Sequence, residues 1–85
     1  MWVQQKDYID VGEVLAHARE RVGLTQQQLA RLLRKPQSFV SNYERGQRRI
    51  DVLELIRIVD ALKGDAVEVF RSILVKRGSA RRPKR

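Results

Sequence analysis

The apolar residues of this 85-residue chain recur at intervals of three and four, and helix stops cut that recurrence into five short segments. Strand-like alternation is rare, so the pattern points to an all-α chain. Val11, Val14/Leu15, Ala18 and Val22 predict a first helix over about 9–22, with Gly23 placed where a left-handed residue closes a helix. Thr25-Gln26-Gln27-Gln28 reads as a capping box that opens a second helix, with Leu29, Leu32 and Leu33 inward and an end near Arg34. Pro36 disfavours helical geometry at Lys35 but is tolerated in a first turn, which predicts a third helix from 36 to about 45, stopped by Gly46. Asp51-Val52-Leu53-Glu54 caps a fourth helix to about Leu62, with Val52, Leu55, Ile58, Val59 and Leu62 inward. Asp65-Ala66-Val67-Glu68 caps a fifth to about Val75, with Val69, Phe70, Ile73 and Leu74 apolar. The expected organisation is one helical domain over 1–75 and a disordered basic tail over 76–85, which contains Gly78, Ser79 and Pro83 and no large apolar residue.

The same short chain excludes several function classes. It has no cysteine and one histidine, His17, so neither a thiolate metal site nor a Cys/His nucleophile pair is available. No pair of carboxylates suggests acid/base work, since Asp51 and Asp65 read as helix caps and His17 as a surface residue. We therefore expect no enzyme, no metal and no cofactor. The longest apolar candidate, Val52 to Leu62, is broken by Glu54, Arg57 and Asp60 and falls short of a membrane helix. The first seven residues do not resemble a secretory signal, and the cytosol is the default compartment. Trp2 and Tyr8 are expected to pack against the bundle.

The formal charge of +8 is unevenly spread. Arg31, Arg34, Lys35, Arg45, Arg48 and Arg49 face only Glu44 in the segment 31–49, and Lys76, Arg77, Arg81, Arg82, Lys84 and Arg85 face no acid in the last ten residues. Everything else is slightly acidic. Gathered cations suit a polyanion, because each phosphate contact releases condensed counterions. Charge alone does not choose among DNA, RNA and an acidic membrane surface.

The third helix is more selective. Relative to the core direction set by Val40 and Tyr43, Ser38 and Arg45 lie roughly 170° away, Ser41 and Asn42 about 130° and Gln37 about 90°. That outer side is polar with one formal charge, and Gln and Asn offer a paired donor and acceptor to adenine. Two short helices separated by about three residues also fit a helix-turn-helix. Gly23-Leu24-Thr25-Gln26-Gln27-Gln28-Leu29-Ala30, followed by Pro36-Gln37-Ser38-Phe39-Val40-Ser41-Asn42-Tyr43-Glu44-Arg45-Gly46, resembles the phage repressor/Cro-type, XRE-like helix-turn-helix family over about residues 9 to 74. The resemblance implies a five-helix lambda-repressor-like domain. It implies that Gln26 holds a phosphate and braces the recognition helix, that Gln37, Ser38, Ser41 and Asn42 face bases, that Gln47, Arg48 and Arg49 touch phosphates, and that Arg19 and Glu44 form a structural ion pair. The turn departs from the family's usual Gly and apolar pair: Arg34 and Lys35 stand there and, with Arg45, add cations beside the DNA. Phe39 replaces a commonly small residue, and two placements are open for it, partial burial or contact with a thymine methyl group.

The leading expectation is a sequence-specific regulator of transcription, a repressor that binds double-stranded DNA at a palindromic operator as a homodimer, because one short recognition helix reads too few base pairs alone. Val69, Phe70, Ile73 and Leu74 are the expected dimer interface. The alternative is an antitoxin that binds a toxin protein and represses its own operon. An RNA-binding role is disfavoured because the outer side of the third helix has no aromatic platform.

Overall fold

The computed structural model describes residues 3–78. Five helices follow one another: α1 (Gln5–Arg21), α2 (Gln26–Leu33), α3 (Gln37–Glu44), α4 (Val52–Ala61) and α5 (Ala66–Gly78). Their local causes are largely those of the sequence. Thr25 Oγ1 accepts from the Gln28 amide at 3.0 Å while the Gln28 side chain accepts from the Thr25 amide at 2.9 Å. Asp51 and Glu54 repeat this reciprocal cap on α4, at 2.7 and 3.1 Å. Asp65 Oδ1 accepts from the Val67 amide at 2.8 Å and opens α5.

Two boundaries differ from the sequence expectation. α1 begins four residues before Ile9, with Asp7 accepting from the Gln4 amide at 3.0 Å and Lys6 bridging to Asp10 at 3.0 Å. Its first turn is polar, so no apolar stripe announced it. α5 continues past Val75 to Gly78, and Lys76 leaves the expected tail to pair with Glu13 of α1 at 2.9 Å. The rest of the expected tail, 79–85, and Trp2 lie outside the described residues. Leu32 and Val52, both expected inward, are exposed, Val52 because the first residue of α4 precedes the turn that meets the core.

Leu15, Leu29, Val40, Tyr43, Ile58 and Val59 are the fully buried centre, drawn from α1 through α4. Each such aliphatic side chain contributes about 1.5–3 kcal/mol relative to exposure. α1 lies against both α3 and α5, so it joins the two ends of the fold. Gly12 makes this approach possible: a Cβ built there would collide with the backbone carbonyls of Tyr43 and Glu44. Substitution at Gly12 would have to push α1 off α3.

Candidate nucleic-acid interface

Arg34, Lys35 and Pro36 form the whole connection between α2 and α3. Arg34 takes the left-handed conformation that closes α2, with φ 61° and ψ 43°, and the Lys35 amide returns to the Ala30 carbonyl at 3.0 Å. Turn closure here is done by an arginine instead of a glycine. Pro36 then precedes α3 in extended geometry as its N-cap.

The orientation of α3 follows from its buried side. Val40 and Tyr43 are in the core, and Phe39, one of the two placements left open, is also buried, meeting Tyr43 edge-to-face at 5.4 Å. Gln37 and Ser38 are exposed; Ser41 and Asn42 are half-buried. The four expected base-facing residues therefore share one helix but not one degree of access. Asn42 is also engaged, its amide oxygen accepting from Arg45 Nη2 at 2.7 Å.

A chain of polar contacts runs from α1 to the first turn of α3. Arg19 donates from Nε to Glu44 Oε2 at 2.7 Å and from Nη2 to Oε1 at 3.1 Å, while its Nη1 reaches the Leu24 carbonyl at 2.8 Å. Both side chains are nearly buried, and the bidentate hydrogen bond holds the Arg19 guanidinium above its usual pKa. Gln26 Nε2 donates to Glu44 Oε1 at 2.8 Å, and Gln26 Oε1 accepts from Gln37 Nε2 at 3.3 Å. The polarity is forced: an ionised carboxylate only accepts, so Gln26 must turn its NH2 to Glu44 and its carbonyl to Gln37. Gln37 keeps its own carbonyl and one N–H for another partner.

The expected phosphate-contacting residues surround this helix unevenly. Arg34, Lys35, Arg45, Gln47 and Arg49 are exposed, and Arg49 stacks over the Tyr8 ring at 5.5 Å. Gln26 is half-buried and largely occupied by Glu44 and Gln37. Arg48 is engaged within the fold: its guanidinium lies 4.6 Å from the Phe39 ring centroid and pairs with Glu54 of α4 at 2.9 Å. Glu54 is the functional candidate that sequence reasoning missed, because a spacing of six across a loop has no helical or strand period.

The expected dimer residues divide. Ile73 is buried and Val69 packs against the core, so these two complete the monomer and do not form a free surface. Phe70 and Leu74 remain about half exposed, at 53% and 48%. Among the described residues no group of His, Asp or Glu is arranged to hold a metal ion, and no helix is long and apolar enough to cross a membrane.

Two short helices joined by a three-residue turn, with the second turning its polar side outward, define a helix-turn-helix DNA-binding domain. A family model described as Helix-turn-helix matches residues 15–69, and the chain belongs to this family of DNA-binding transcription regulators, in its XRE-like form. The chain is similar to the restriction-modification controller protein C.AhdI from Aeromonas hydrophila, with TM-score 0.71 and 32% identity over 76% of this chain and 98% of that one. An XRE-family like protein from Pseudomonas syringae pv. tomato str. DC3000 aligns with TM-score 0.73 and 32% identity over 92% of this chain and 89% of that one. The clp gene regulator ClgR from C. glutamicum shares the fold, with TM-score 0.77 at 23% identity, over 82% and 90% of the two chains. No curated protein sequence matches significantly.

Proposed function

We propose that the protein is a transcription repressor that binds a palindromic operator as a homodimer, with one α3 in the major groove of each half-site. The observation that carries this reading is the outward first turn of α3, where Gln37 is oriented by Gln26 and Glu44 while Val40 and Tyr43 anchor the opposite side. An amide with a free carbonyl and a free N–H matches adenine N6 and N7. Ser38, Ser41 and Asn42 complete the base-facing set, and Gln26, Arg34, Lys35, Arg45, Gln47 and Arg49 supply phosphate contacts. Arg48 joins them once it leaves Glu54. Repression asks only that the operator be occupied, and the likeness to a restriction-modification controller protein supports a regulatory role.

A second copy of the chain is supported by α5. Val67, Phe70 and Leu74 recur at three and four on one stripe and are all exposed, while Val69 and Ile73 form a separate inward stripe. An exposed apolar stripe on a helix already anchored to its own core suits a two-fold contact.

Selection of bound sequences from a random duplex pool tests the reading. An enriched palindrome is expected. In the same assay Gln37→Ala should relax preference at one or two base pairs per half-site and cost about 1–3 kcal/mol on the selected duplex, with little change on random duplex. Enrichment of a single unrepeated site, or equal losses on both duplexes, would overturn it.

A further inference from the structure

The loop after α3 delivers Arg48 to a carboxylate. Its Nη1 donates to Glu54 Oε1 at 3.1 Å and its Nη2 to Oε2 at 2.9 Å, so both terminal nitrogens are turned to one acid. Nη1 also reaches the Arg49 carbonyl at 2.7 Å. The guanidinium rests on Phe39, whose ring also carries Lys35 at 5.4 Å. Phe39 is thus a seat for two cations, one before the recognition helix and one after it.

Glu54 is fixed independently of Arg48. It stands in the capping box of α4, where Oε1 accepts from the Asp51 amide at 3.1 Å. A carboxylate tied to its own helix does not follow the arginine when the arginine leaves. The hydrogen bonds from Arg48 and then from the Asp51 backbone hold the Glu54 carboxyl below its usual range, so it is ionised at neutral pH. Carboxylate and phosphate compete for the same two-pronged edge of a guanidinium.

We propose that Glu54 is a built-in competitor of DNA phosphate, which masks Arg48 in the free protein and on random-sequence duplex and thereby lowers sequence-independent affinity. The inference rests on the reading of α3 and its flanking loop as the DNA surface. Non-specific binding is driven by counterions released when cations reach phosphates. A cation already neutralised at 2.9 Å adds nothing to that drive until its pair opens. Both side chains keep partial solvent access, 39% for Arg48 and 28% for Glu54, and a surface pair of this kind opens readily when a well-placed phosphate is offered. Operator DNA, held in register by the base-facing residues, makes that offer; randomly docked duplex does so less often. The acid raises discrimination by subtracting from the background.

Glu54→Gln is the test variant, because glutamine preserves the capping-box acceptor while removing the charge. On random duplex, E54Q should bind about 5-fold more tightly near 0.1 M salt, and log K against log salt should steepen by about 0.9 per subunit. The double variant R48A/E54Q should show neither gain. R45A removes a cation partnered by the neutral Asn42 amide, and it should make the slope shallower by about 0.9. An unchanged slope in E54Q overturns the masking, as does a gain that persists in the R48A background, which would mark a long-range charge effect. Should E54Q fail to fold, R48A decides: masking requires it to leave the random-duplex slope nearly unchanged while R45A moves it. If R45A is silent as well, this side of α3 is not the DNA surface, and the proposed function fails together with the inference.

Discussion

Arg34 works against its own side chain. Left-handed backbone is costly for a residue with a Cβ, by roughly 1–2 kcal/mol, whereas glycine adopts it freely and loses part of that advantage through its looser unfolded state. Arg34→Gly should therefore raise stability by about 0.5–1 kcal/mol, a few degrees in melting temperature for a domain this size. The same variant loses a cation beside the proposed DNA surface, and its salt slope should become shallower by about 0.9. A stabilised R34G with the parental slope would remove Arg34 from the phosphate set. Tyr43 presents the opposite case, a side chain whose ring belongs in the core and whose hydroxyl has no protein partner there among the described residues. Burial, and then the charge of Glu44, push its phenol well above the usual pKa. The sign is that of a raised group: the stability it confers is complete below the unfolded pKa of about 10 and is lost as pH rises beyond it. Tyr43→Phe should melt no lower than the parent at neutral pH, because an unpaired buried hydroxyl is removed, and should lose less stability above about pH 10. Melting curves at the two pH values check both statements.

At the scale of elements, α5 decides the proposed assembly. Leu74→Glu places a charge on the exposed stripe near the helix end and should leave the monomer's melting almost unchanged while lowering sedimentation mass and half-site cooperativity. A folded L74E that kept both would put the interface elsewhere. Ile73 cannot serve as the probe, since it is inside the monomer. This division was only half legible in the sequence: apolar spacing identified α5, but a helix carrying two apolar stripes does not declare which one its own core takes. Capping residues were legible because their chemistry is local, as Thr25 with Gln28 and Asp51 with Glu54 show. Gly12 was not legible, for a lone glycine within a helix gives no sign of the backbone it will meet. The Arg19–Glu44 pair was read through resemblance, and Gln26 with it, but the amide polarity that reaches Gln37 required coordinates. The pairing of Arg48 with Glu54 was not legible, because resemblance supplies positions and not local competitors.

For the whole molecule, charge is distributed between the surround of α3 and the terminal residues. Arg81, Arg82, Lys84 and Arg85 lie beyond the described helix. Truncation after Gly78 spares the Lys76–Glu13 bridge, and it should leave the preferred sequence and the melting temperature nearly unchanged while making the salt slope shallower by about 3, at roughly 0.9 per phosphate contact. An unchanged slope would assign these residues to another task. The close approach at Gly12 carries a different consequence. α1 is pressed against α3 by that glycine and against α5 along its other side, so the path from a dimer contact on α5 to the recognition helix passes through packed helix without a hinge. In a dimer built this way the protein is a ruler of fixed length. One base pair inserted between half-sites shifts the second by about 3.4 Å along the duplex and roughly 35° around it. Nothing between α5 and α3 stretches or swivels to follow that shift, so an operator with a single inserted central pair should be bound one half-site at a time, with the loss visible as a missing cooperative band in a mobility-shift titration.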